Sequence, residues 1–240
     1  MKVLFNYKNH SLMNADLPIG KPNISLCKEN SDKINDMHIF YDYPDMYDTE
    51  IEYLENTSNS YINTQLSAKY NTTVEFEYMP KSITTTANSA LLQNKNYNWM
   101  VTQETAACYV GTWNGSFRVT FSTDPNNNMA SAAKAFSLNT KYKIKLGPDG
   151  FYINDKRENY TPNWVETGRV SDKIKFFNTQ GQQRGNLYYL KIWEADTLVR
   201  DYIPVKKNNI GYLFDKVSGQ LYGNAGGGSF VCGSDLNISN

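Results

Sequence analysis

The chain has 240 residues, enough to bury roughly 70% of the surface that its unfolded form exposes, so one large domain, alone or with a small appendage, needs no disulfide or metal. Lys plus Arg equals Asp plus Glu at 24 each, which removes the electrostatic drive toward nucleic acid or anionic membranes. The 18 Tyr, 11 Phe and 4 Trp, together with abundant Asn and Thr, favour strands joined by polar turns over helices.

Three cysteines, Cys27, Cys108 and Cys232, lie far apart and make neither a zinc spacing nor a complete disulfide framework, so they read as free buried thiols. His10 and His38 are the two histidines, both in the N-terminal fifth. The main domain therefore has no base for a Ser-His-Asp or Cys-His machine.

In chain order, M-K-V-L-F-N-Y-K-N-H holds too short an apolar run for a secretory signal, and no run of about 18 apolar residues follows to span a membrane. The sequons at Asn23, Asn56, Asn71, Asn114 and Asn237 are then expected to stay unmodified. Residues 1–48 lack sustained alternation, carry Pro18, Pro22 and Pro44, and end in D-M-H-I-F-Y-D-Y-P-D-M-Y-D. Such a segment reads as irregular and builds no core of its own, yet Ile39, Phe40, Tyr41, Tyr43, Met46 and Tyr47 are too apolar to stay solvated. Either it packs on the rest of the chain or these residues dock on a partner.

T-E-I-E-Y-L-E, Thr49 to Glu55, approaches the E-x-D-x-x-E arrangement of jelly-roll glycosidases. Glycosidase chemistry needs two carboxylates roughly 5 to 10 Å apart across the bond. Here Glu52 stands where the motif has Asp, and a displacement of about 1 Å costs on the order of a hundredfold in rate. The strand also opens the domain, so it reads as an edge strand with Ile51, Tyr53 and Leu54 inward and the glutamates toward water.

Beyond Thr49, period-two alternation recurs. Val74, Phe76 and Tyr78 oppose Glu75 and Glu77; Phe117, Val119 and Phe121 oppose Arg118 and Thr120. D-P-N-N-N, Asp124 to Asn128, starts like a calcium loop, but Met129 stands where that loop needs Gly and Ala135 where it needs an acid, so it reads as a turn. Met129 to Phe136 has helical propensity for two turns at most.

Tyr142 to Asn154 predicts a hairpin turned by Gly147 to Gly150. Asn186 to Val205 predicts two strands joined near Ala195 to Thr197, with Pro204 at an edge or strand end. Gly211 to Asn224 predicts a second hairpin, turned by Asp215 to Gly219. Gly226 to Gly228 lacks the Lys and helix of a phosphate loop and reads as a terminal loop. These spacings predict an all-β fold, a two-sheet antiparallel sandwich over 49–240 with a short N-terminal segment over 1–48.

Two ends of the larger domain carry a resemblance. I-E-Y-L-E-N-T-S-N-S-Y-I-N-T-Q-L resembles the first strands of concanavalin A-like, laminin-G-type jelly rolls found in gut-bacterial surface proteins and in phages of gut bacteria. L-Y-Y-L-K-I-W-E-A-D-T-L-V-R-D-Y-I-P-V through G-Y-L-F-D-K-V-S-G-Q-L-Y-G-N-A-G-G-G-S-F is similar to that family's closing strands. The resemblance covers about Ile51 to Gly233 and is weak from Ser82 to Thr140; Asn63 replaces the usual Asp, and the Gly usual after Gln65 is missing.

The resemblance implies a jelly roll that binds, often glycans, with no chemistry and no cofactor. Without a secretory signal it implies a phage virion protein, a head fibre, capsid decoration or tail-associated protein. Its partners would be other virion proteins of capsid or tail and host surface glycans, with no nucleic acid and no membrane, and it would be a homodimer or homotrimer. The alternative is a carbohydrate-binding module of a bacterial surface protein. Sugar binding asks for aromatic faces with amides beside them. Tyr97, Asn98, Trp99, Tyr109, Trp113 and Asn114 supply these in the variable middle, and Trp164 in a later loop. Trp113, before Asn-Gly, is the ring expected to be exposed.

Overall fold

The computed structural model describes residues 5–6, 11–12, 23–28, 37–42, 46–57, 59–83, 89–94, 107–123, 129–164, 172–177 and 184–236. The chain divides into two compact units, Met1–Tyr47 and Asp48–Asn240. In the first, β1 (Phe5–Asn6) pairs with β2 (Ser11–Leu12), and β3 (Asn23–Lys28) pairs with β4 (Met37–Asp42), both antiparallel. The described residues of the segment expected to be irregular thus include two short antiparallel pairs. Ile24 and Leu26 alternate with Ser25 and Cys27, and pairing with β4 satisfies the backbone of both strands.

The second unit is all-β and forms two antiparallel sheets. One has the order β12 (Ala130–Ala135), β11 (Ser116–Ser122), β10 (Ala107–Trp113), β9 (Ser89–Gln93), β16 (Lys173–Phe176), β7 (Ile62–Ser67). The larger runs β15 (Lys156–Arg157), β14 (Gly150–Ile153), β13 (Tyr142–Gly147), β8 (Thr72–Pro80), β17 (Gly185–Glu194), β18 (Thr197–Lys207), β19 (Ile210–Asp215), β20 (Gln220–Tyr222). Against it, β5 (Thr49–Glu50) pairs with β18, while β6 (Leu54–Asn56) pairs with both β17 and β21 (Phe230–Cys232). Because β13 pairs with β8 and β16 with β7, the chain crosses repeatedly between the sheets.

The inner faces meet in one core. Val74, Phe76, Ile144, Leu146, Leu190 and Ile192 of the larger sheet pack toward Ile62, Leu92, Val110, Val119, Ile174 and Phe176 of the smaller. Phe76 and Phe176 meet edge to face across the sheets at 4.9 Å between centroids. The Tyr202 hydroxyl donates to the Thr64 carbonyl at 3.3 Å, a polar tie between β18 and β7 inside the apolar layer. The outer face of the larger sheet neutralises its own charge. Lys145, Glu75, Lys191 and Asp201 stand in one cross-strand row of alternating sign.

Three local expectations change. Within Met129 to Phe136, Ala130–Ala135 is strand, not helix: Ala132 and Phe136 turn inward, and Arg118 and Val119 of β11 pair with Ser131 and Ala130. Two turns of helix cannot nucleate alone, so the exposed backbone of β11 decides the conformation. Pro204 lies well inside β18, at neither an edge nor a strand end. Its carbonyl accepts from Ile51 N–H at 3.1 Å, so its missing N–H faces the gap where the β17 ladder, ending at Tyr202, gives way to β5. Thr49 to Glu55 is not one strand either: β5 stops at Glu50, Ile51 bridges to Asp235, and β6 resumes at Leu54.

Cys108 is fully buried, and burial pushes its thiol up to about 12; Cys232 is half-buried. Both are free thiols. Alkylation of the native protein followed by peptide mapping should modify Cys232 first and Cys108 only on denaturation. Equal labelling of both in the native state would contradict this packing.

Candidate functional site

The outer face of the six-stranded sheet is built by the residues that alternate with its core side chains. On β16, Ile174 and Phe176 point inward, so Lys173 and Lys175 point out. On β11, Phe117, Val119 and Phe121 enter the core and leave Arg118 and Thr120 on the outer face. Register then sets one row across five strands: Asn63, Lys175, Gln93, Tyr109 and Thr120. The middle of this row is buried, with Gln93 at 1% and Tyr109 at 2% exposure.

The neighbouring row passes through Ala90, Gly111, Arg118 and Ser131 and leads to the β10–β11 hairpin tip. Asn114 and Gly115 form its two-residue turn, both in the left-handed region at φ 50° and 76°. That is the turn for which Asn-Gly is suited, because neither residue is strained there. Trp113 stands immediately before it, 37% exposed, with the Arg118 guanidinium 5.7 Å from its ring centroid. At the opposite margin Lys175 Nζ lies 5.5 Å from the Tyr61 ring centroid. Both aromatic margins of this face thus carry a cation over a ring.

Trp113 and Asn114 come together at the hairpin tip. Tyr109 is corrected as a stacking platform: it lies on the outer side of β10 in register with Gln93 and Thr120, but it is 2% exposed. Trp164 is partly buried, with its ring packed on the inward Phe121 at 4.8 Å between centroids. Tyr97, Asn98 and Trp99 lie outside the described residues, as does the Asp124 to Asn128 turn. Of the residues expected to face a partner, Ile39, Phe40 and Tyr41 stand on β4 opposite Leu26, Ser25 and Ile24; Met46 and Tyr47 close the N-terminal unit; Tyr43 is outside the described residues.

Sequence reasoning missed Tyr61, Lys175 and Gln93, and treated Arg118 only as the polar side of a strand. K-I-K-F shows the alternation that turns both lysines outward, but nothing local shows that β7 and β9 flank them. The three glutamates do not converge as an acid pair on a shared strand. Glu52 lies 3.7 Å from Lys141, and Glu55 is ion-paired with Arg184. Among the described residues no cluster of His, Cys, Asp and Glu could hold a metal ion.

No family model matches the chain, and no curated protein matches it. Among solved structures it is similar to a candidate carbohydrate-binding protein from Bacteroides ovatus, with a TM-score of 0.51 and 14% sequence identity. The likeness covers 85% of this chain and 65% of that one, so the chain spans just under two thirds of the length of the protein it matches. At such identity the likeness is one of fold. It agrees with the strand order above: the chain forms an all-β, two-sheet antiparallel sandwich, compatible with a jelly roll.

Proposed function

We propose that the chain is a non-enzymatic carbohydrate-binding module of a bacterial surface protein, with its ligand on the outer face of the six-stranded sheet beside the β10–β11 hairpin. The observation that carries this reading is Trp113: a large ring left exposed beside a two-residue hairpin turn, with Asn114 next to it in the turn and the Arg118 guanidinium over the ring. A pyranose presents one apolar face and a rim of hydroxyls, which suits an indole with polar neighbours. The fold likeness to a candidate carbohydrate-binding protein supports the same class. A virion role drew on the sequence resemblance alone, and no feature of the fold or the site adds to it, so the module reading is preferred. Binding without hydrolysis is supported by Glu52 and Glu55, whose carboxylates are engaged by Lys141 and Arg184.

The test is a glycan array followed by titration of a bound glycan. Trp113→Ala should weaken binding about tenfold or more, a loss of about 1.4 kcal/mol, while the unfolding midpoint stays unchanged. No reducing ends should be released on prolonged incubation. Retention of full affinity by the variant would remove Trp113 from the site.

A further inference from the structure

The six strands of the smaller sheet contain no Asp and no Glu, although the chain as a whole is balanced at 24 of each sign. They carry Lys173, Lys175, Arg118 and Lys134. The larger sheet behaves differently: its outward Lys143, Lys145 and Lys191 each have a carboxylate within ion-pair range, from Glu75, Asp155, Asp149 or Asp201. Among the described residues, no carboxylate forms an ion pair with Lys173 or Lys175. Asp172, the adjacent acid in sequence, lies beyond the end of β16 and makes no ion pair among those residues either.

Resting on the carbohydrate-binding reading, we infer that the ligand of this face is an anionic glycan, one whose sugars carry carboxylate or sulfate groups, and that Lys173 and Lys175 receive those groups. The two lysines share one strand face at positions i and i+2, about 7 Å apart along the strand. Lys175 lies over the Tyr61 ring and is paired with Asn63; Lys173 is paired with Ser67. An acidic sugar can therefore meet an ammonium, an aromatic face and an amide within one strand pair. Arg118, three strands away across the sheet and so about 14 Å from Lys175 in that direction, is a third cation, beside Trp113. Three cations on a neutral chain are too few to neutralise the many phosphates of a nucleic-acid site, and a saccharide with spaced charges fits them better.

The experiment uses the full chain and titrates it with polygalacturonate, dextran sulfate, neutral dextran and an oligothymidylate at low and at 0.5 M salt. Binding of polygalacturonate, dextran sulfate or both, weakened by salt, supports the inference, and the arm that binds identifies carboxylate or sulfate as the group. The Lys173→Gln, Lys175→Gln double variant should then bind about tenfold more weakly, with an unchanged circular dichroism spectrum. Unchanged affinity in that variant overturns the inference. Salt-independent binding of neutral glycans, here or on the array, overturns it while leaving the carbohydrate-binding reading standing. Silence from every glycan sinks both, and preference for the oligothymidylate replaces them with a nucleic-acid site.

Discussion

Phe176→Ala should lower the unfolding free energy by about 3–5 kcal/mol. Phe176 is fully buried on β16 and touches both layers: Phe76 of the larger sheet at 4.9 Å, and Phe177 at 4.8 Å. Truncation removes the edge-to-face contact between sheets and leaves a cavity whose walls are strands held by their own ladders, so collapse cannot fill it. Phe176→Leu fills much of that volume and should cost less than half as much. Urea unfolding followed by tryptophan fluorescence measures both. A loss under about 1 kcal/mol for the Ala variant would mean that the sheets are not joined through this ring.

Asp215→Ala should be comparably severe, at about 3–5 kcal/mol. The carboxylate is completely buried at the end of β19 and organises the turn into β20. Oδ1 accepts from the N–H groups of Asp201 at 2.8 Å and Val217 at 3.1 Å. Oδ2 accepts from Ser218 N–H at 3.3 Å and its hydroxyl at 2.6 Å, with Arg200 Nε 3.6 Å away. Alanine leaves these donors and the guanidinium without their acceptor, and unmade bonds in a buried site cost more than made ones gain. Asp215→Asn keeps one acceptor oxygen and should cost less. The same urea titration reads the loss, and an Asn variant as unstable as the Ala variant would make the charge itself the dominant element.

These two sites differ in how readily they could be read in advance. Asp215 begins D-K-V-S-G, a turn legible from Asp, Ser and Gly at fixed offsets, and the structure turns there. Its burial was not legible, because that depends on Arg200 and Asp201 arriving from β18. Phe176 lies in K-I-K-F, whose alternation gives the inward side but not the ring it meets. L-Y-Y-L, Leu187 to Leu190, shows the same limit in another form. Two tyrosines between inward leucines break the period of two, and the structure accommodates the extra residue by a register shift between Leu187 and Tyr189.

Alternation and turn chemistry act between neighbours in sequence, and they were enough to set the all-β class, the Tyr142–Asn154 hairpin and the exposure of Trp113 before Asn-Gly. Pairing between strands distant in sequence is a different matter, since it depends on which unsatisfied backbone edge each segment meets. That is why Ala130–Ala135, helical by propensity, is a strand beside β11, and why Pro204 sits inside β18 where one partner strand replaces another. The candidate site belongs to this second kind. Lys175 acquires Tyr61 and Asn63 only because β16 is laid between β7 and β9, and the burial of Tyr109 on the outer side of β10 is equally invisible in its own strand's alternation.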